Sequence, residues 1–339
     1  MVHPASWLGL ESYLRPFDPL FRNPHLATLA GNFWSRPDGD ARWPVEEVRF
    51  TTEPGVDVLV HSQKPEGAPK AELLLIHVLE GSSQAGYARS MANEALSRGY
   101  AVDRLNMRGC GGTEHLLKNF GGPLGYHAGL TSDVLAVVRE IRQRHRIPVF
   151  VVGFSLGGNV ALKLAGELGE SGTDLLAGVG AVSTPIDLGA CAERLGHPSN
   201  FLYENRFLDR MKARIRLLHQ LAPDRYTLDH LPKVRTIIDF DNFYTAPTFG
   251  FGTAANYFRT QSANQFLERI RVPTLVIQAK DDPLIPFNVY NLPVFSTNPS
   301  LSLLAVDHGG HLGFLARRKP RFWVDQVMLE WIAGRLEGH

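Results

Sequence analysis

Cysteine is nearly absent from this 339-residue chain: only Cys110 and Cys191 occur, and neither belongs to a C-x-x-C pair. That argues against a disulfide scaffold and a thiolate zinc site, and fits reduced thiols in the cytoplasm. An excess of either charge is missing as well, with 35 Lys and Arg against 34 Asp and Glu. No net field therefore draws the chain to nucleic acid or to an anionic membrane. No apolar run approaches the ~18 residues of a membrane span, and the first residues lack the basic, apolar and small-residue order of a secretory leader. The glycines of Asn106-Met-Arg-Gly-Cys-Gly-Gly112 lack both the G-x-G-x-x-G spacing and a Walker lysine, which argues against nucleotide binding. What remains is a small neutral or apolar ligand, handled without metal or organic cofactor.

The chain is 44% apolar, enough to bury a sizeable core. From Val45 onward, β-rich runs alternate with helical patterns: Val45–Thr52, Asp57–Lys64, Ala71–Val78, a helix at Gln84–Arg98, then Tyr100–Arg108. The rhythm continues with a helix at Tyr126–His145, strand Pro148–Phe154, helix Leu156–Gly169, and strands Ala177–Thr184, Thr274–Lys280 and Leu301–Asp307, closing on helix Pro320–Leu336. This spacing predicts an α/β fold: an eight-stranded, mostly parallel sheet flanked by helices. Glu53-Pro54-Gly55-Val56 is a turn signal that makes the first two runs an antiparallel edge hairpin. Leu73-Leu-Leu-Ile76 and Val149-Phe-Val-Val152 are apolar without alternation, as strands covered on both faces must be.

The rhythm breaks over 187–271, where helical patterns (Phe207–Leu221, Ala254–Glu268) and aromatic loops replace strands. Such an insertion predicts a helical cap over the carboxyl edge of the sheet, with some of its aromatics lining an apolar pocket. The sheet-bearing core is then 45–186 together with 272–339. Residues 1–44 carry Trp7, Tyr13, Phe17, Phe21, Phe33 and Trp34, but also Pro4, Pro16, Pro19, Pro24 and Pro37, which rule out one long helix. They read as an arm packed on the body, without the Lys/Arg face of a membrane-surface helix.

Gly153-Phe-Ser-Leu-Gly157 stands between an apolar β-branched run and a helix-forming run, the pattern of a nucleophile elbow with Ser155 at its tip. A serine hydroxyl needs a base to take its proton, and that base an orienting acid. Asp281-Asp-Pro-Leu-Ile-Pro286 follows one later strand and His308-Gly-Gly-His-Leu-Gly313 the next, giving the chain order Ser, Asp, His. Asp282 is the favoured acid because Asp-Pro-Leu-Ile-Pro fits D-x-x-[VI]-P, with Asp281 a turn-capping neighbour. His311 is favoured over His308 because glycines precede it. The oxyanion would be held by the N–H groups of Leu156 and of Leu79, the latter in the loop after the third strand. His77 reads as an organiser of that loop.

Together with Arg22-Asn-Pro-His-Leu-Ala-Thr28, His77-Val-Leu-Glu-Gly-Ser82 and Gly309-Gly-His-Leu-Gly-Phe314, these segments resemble the YheT-like branch of the α/β-hydrolases, relatives of abhydrolase-domain lipases. The resemblance spans nearly the whole chain. It implies a capped α/β-hydrolase fold and a serine esterase or lipase-like enzyme with Ser155, Asp282 and His311 as triad, acting on acyl esters. It fixes neither the substrate nor the oligomeric state. One position departs from the family pattern: Val78 stands where glycine is usual, and a positive φ there would strain the oxyanion loop. Thioester hydrolysis, acyl transfer and a ligand-binding role with vestigial turnover are the alternatives.

Overall fold

The computed structural model describes residues 16–36, 39, 41–117 and 120–337; Trp7 and Tyr13 of the arm lie outside them. Eight strands form one sheet in the order β1-β2-β4-β3-β5-β6-β7-β8. They are β1 (Glu46–Glu53), β2 (Val56–Gln63), β3 (Glu72–Ile76), β4 (Ala101–Leu105), β5 (Val149–Phe154), β6 (Gly178–Val182), β7 (Thr274–Ala279) and β8 (Leu301–Val306). β1 and β2 form the antiparallel edge hairpin, β2 is also antiparallel to β4, and every pairing from β4 to β8 is parallel. β3, β5, β6 and β7 are buried along their whole length, as strands covered on both faces are.

Helices cover both faces. α2 (Gly86–Ser97) and the C-terminal helix Trp323–Glu337 close one core. α3 (Ser132–Arg144) and α4 (Leu156–Leu168) close the other, which also takes in the segment between β6 and β7. The chain winds from β3 to β4 in one direction and places β5 on the opposite side of β3. This reversal leaves a crevice at the carboxyl ends of β3 and β5, where open α/β sheets bind ligands.

Several element boundaries differ from those the sequence suggests, each because a tertiary contact prevails. The helix expected from Tyr126 starts at Ser132, because the backbone of Ala128 is held by Tyr257 Oη and by Asn159 Nδ2. The helix expected over Ala254–Glu268 ends at Gln261, where the Ser262 hydroxyl binds Phe258 O and receives the Leu188 N–H. The long helix of the insert starts at Phe201, six residues earlier than its amphipathic pattern suggests. Near the N-terminus, Pro24 begins α1 (Pro24–Phe33), whose first amides are capped by Asn23.

Candidate active site

The turn from β5 into α4 is as tight as the glycines imply. A Cβ on Gly153 would collide with the Gly157 carbonyl, and one on Gly157 with the carbonyls of Ile76 and His77. Ser155 occupies φ 50°, ψ −118°, a region costly for a residue with a side chain, and its N–H is held by Val182 O at 2.8 Å. The hydroxyl is thereby aimed away from the sheet, into a cavity.

His311 Nε2 stands 3.0 Å from Ser155 Oγ, and His311 Nδ1 stands 2.9 Å from Asp282 Oδ2. Asp282 is fully buried and fixed from three sides. Its Oδ1 accepts the N–H groups of Leu284 and Ile285 at 2.9 and 3.1 Å, and its Oδ2 also accepts Gln278 Nε2 at 3.2 Å. Asp281 instead pairs with His308 at 3.1 Å and caps the Gly310 N–H at 2.9 Å. The adjacent carboxylates thus face two different histidines, and only the Asp282–His311 pair reaches the serine.

A contact invisible to motif reading holds His311 in place. Its backbone N–H donates to Thr28 Oγ1 at 2.9 Å, while the Thr28 hydroxyl donates to Pro24 O at 2.7 Å within α1. A Cβ on Gly310 would meet Pro24 O and the Thr28 hydroxyl. The glycines of the histidine loop therefore let α1 pack against it, and the Arg22–Thr28 segment acts as a buttress.

The loop after β3 carries Leu79 at the cavity wall. Val78 N–H donates to Tyr87 Oη at 3.0 Å and Glu80 N–H to Tyr126 Oη at 2.7 Å. The Leu79 and Leu156 N–H groups have no acceptor among the described residues. Strain at Val78 does not materialise: the positive φ of this loop falls on Glu80, at 53°, and the Val78 side chain packs against the core on the α2 face of the sheet. Glu80 is locked by Arg214 of the long insert helix at 2.9 and 3.1 Å. Arg214 also donates to Gly109 O and lies 3.2 Å from Cys110 Sγ. The Asn106–Gly112 loop is therefore tied to the loop after β3 and to the insert: Asn106 Oδ1 accepts Ser83 N–H at 2.9 Å, and Met107 N–H donates to His77 Nε2 at 3.1 Å. Burial pushes the His77 imidazole down to about 4, so it is neutral at pH 7, accepting at Nε2 and donating from Nδ1 to Val78 O at 2.7 Å.

The cavity above Ser155 and His311 holds about 700 Å³, counting space open to solvent, and is mostly apolar, with Leu188, Leu195, Phe207, Ile237, Phe258 and Ile285 among its walls. A second chamber of about 560 Å³ adjoins it, sharing Leu79, Ala128, Leu156, Met211, Asp241 and Tyr257. Of the insert's aromatics, Phe207 and Phe258 face the first space, Tyr226, Phe240, Tyr244 and Phe249 the second, and Tyr257 both. Among the described residues no cluster of three or more His, Cys, Asp or Glu could hold a metal ion. No helix of the described residues is long and apolar enough to cross a membrane.

Asp241 is the polar exception in these walls, and sequence reading passed over it because nothing around it forms a motif. Burial lifts its carboxyl to about 7, opposed by one hydrogen bond from Thr245. A folded-state value above the unfolded one, about 3.9, means that the folded chain holds this proton more tightly. The group's contribution is complete below about pH 4 and is lost as pH rises through about 7. Asp241→Asn is expected to differ least from wild type in thermal melts at about pH 4 and to gain on it by about pH 8, by on the order of 2–4 kcal/mol; a difference that stays the same at both values would contradict the buried-acid assignment.

The model of the alpha/beta hydrolase fold family matches residues 73–317. The YheT protein of Escherichia coli (strain K12) is 30% identical over 336 residues, 94% of this chain and 92% of its own length. The mouse phospholipase ABHD3 is 29% identical, covering 81% of this chain and 66% of its own. The monoacylglycerol lipase of Saccharomyces cerevisiae is 28% identical, covering 78% and 59%. Among solved structures, the Pyrococcus furiosus esterase Pf2001 superposes with a TM-score of 0.57 at 16% identity, over 89% of this chain and 99% of that one. The 2,6-dihydroxy-pseudo-oxynicotine hydrolase does so with 0.58 at 19%, over 91% and 72%.

Proposed function

The chain belongs to the alpha/beta hydrolase fold family, and from that premise we propose that it cleaves carboxylic esters through an acyl-serine intermediate. The observation that carries this reading is the unbroken chain Ser155 Oγ, His311 and Asp282 at the floor of an apolar cavity. An ionised Asp282 can only accept, so it holds the His311 proton on Nδ1 and leaves Nε2 free to take the serine proton. Ser155 Oγ then attacks the ester carbon, and the carbonyl oxygen gains negative charge. The N–H groups of Leu156, at the N-terminus of α4, and of Leu79 are the donors for that charge. The intermediate collapses as His311 passes its proton to the leaving alcohol. Water, deprotonated by the same nitrogen, attacks the acyl-serine and releases the acid.

The apolar walls favour a small acyl ester, and the relatives named as lipase and phospholipase support acyl lipids as the wider class. The two cysteines are free and buried, which supports the cytoplasmic reading. The test is hydrolysis of p-nitrophenyl esters from acetyl to palmitoyl. Turnover with one preferred chain length is expected, and Val78→Gly should change kcat/KM by less than about threefold, because Val78 is unstrained. A wild-type protein without turnover, beside an active Val78→Gly variant, would instead favour a ligand-binding role.

A further inference from the structure

Ester cleavage at Ser155 has no use for a further acid, yet Asp241 lines the cavity that holds Ser155 and His311 and also the chamber beside it. It opens a π-helical turn, Asp241–Thr245, a distortion that re-aims side chains and recurs at functional sites. Its exposure is only 6%. The one hydrogen bond that opposes its burial comes from Thr245, and among the described residues no cation offsets it. Arg214, the one arginine on the chamber wall, is engaged by Glu80.

A carboxyl group has about four acceptor positions, so most of its hydrogen-bonding capacity is unmet inside an apolar enclosure. That arrangement is costly unless a bound molecule completes it. We propose that Asp241 recognises a hydroxyl group carried by the ester, so that the preferred substrates are hydroxylated esters and not plain alkyl ones. The functional meaning of this subsite rests on the ester-hydrolase reading above; the binding itself does not. A hydroxyl suits the site better than an ammonium. With its carboxyl lifted to about 7, Asp241 is often protonated at neutral pH, and a carboxylic acid can still donate one hydrogen bond to a hydroxyl and accept another. An ammonium needs the ionised form. The hydroxyl can belong to the acyl chain or to the alcohol, because Asp241 lines both spaces. Asp241 is a specificity residue on this account and takes no part in bond breaking.

Three comparisons test it. For the acyl chain, p-nitrophenyl octanoate is set against its 3-hydroxy and ω-hydroxy forms; for the alcohol, propyl octanoate against glyceryl monooctanoate. Wild type is expected to favour the hydroxylated member by about tenfold or more in kcat/KM in one comparison, which locates the hydroxyl. Asp241→Leu should shrink that preference to about twofold or less. Asp241→Asn, which keeps an acceptor oxygen, should retain part of it. Third, in the Ser155→Ala background, calorimetry compares α,ω-octanediol with octanol, and the diol should bind at least about fivefold tighter unless Asp241 is leucine. If no ester is cleaved but the diol preference stands, the ester reading fails and this subsite survives. Equal treatment of hydroxylated and plain ligands by wild type, a preference that persists in Asp241→Leu, or tighter binding of octylammonium than of the diol would overturn the inference.

Discussion

Ser155→Ala is expected to lower kcat for p-nitrophenyl ester hydrolysis by about 10⁶-fold, leaving a fold that melts within a degree or two of wild type. The two halves of that expectation have separate causes. The hydroxyl's hydrogen bond is to His311 Nε2, so its loss removes the proposed nucleophile and one contact at a cavity wall. The backbone that shapes the elbow is untouched: Ser155 N–H still reaches Val182 O, and the glycines at 153 and 157 still admit the close approach of α4 to β3 and β5. Because Ser155 and His311 act as a unit, adding a change at His311 should cost little more. Residual turnover above about one per cent of wild type would mean that another group attacks the ester.

Asp282→Asn is expected to reduce kcat by about 10⁴-fold with KM little changed. The asparagine oxygen can still accept from the Leu284 and Ile285 amides, which fix Oδ1 at 2.9 and 3.1 Å. Its NH₂ group then replaces Oδ2 and points two donor hydrogens towards His311 Nδ1 and Gln278 Nε2. His311 can satisfy that donor only by accepting at Nδ1, which shifts its proton to Nε2, the nitrogen that must take the serine proton. Asp281→Asn is the matched control. Its carboxylate faces His308 and the Gly310 amide, so activity should stay within about threefold of wild type. A reversal of these two results would move the acid to position 281.

The sheet was legible because its signals are local and repeated. Runs such as Val149–Val152 must be buried on both faces, and the turn at Glu53–Val56 leaves only a hairpin. The elbow was legible because small residues at 153 and 157 have one steric purpose beside a buried serine. What escaped depends on contacts between distant segments. Nothing near Thr28 announces that its hydroxyl receives the His311 N–H, and nothing near Asp241 announces two adjoining cavities. Val78 shows the opposite error: a departure from a family pattern suggested strain, but the loop takes its positive φ two residues later, at Glu80. There the Tyr126 hydroxyl and Arg214 hold it from two sides.

Covalent labelling tests the central claim most directly. Wild-type protein treated with a fluorophosphonate should gain the mass of one phosphonyl group, located on the peptide containing Ser155, and Ser155→Ala should gain none. A folded wild-type protein that stays unlabelled, or one labelled at another residue, would contradict Ser155 as the nucleophile.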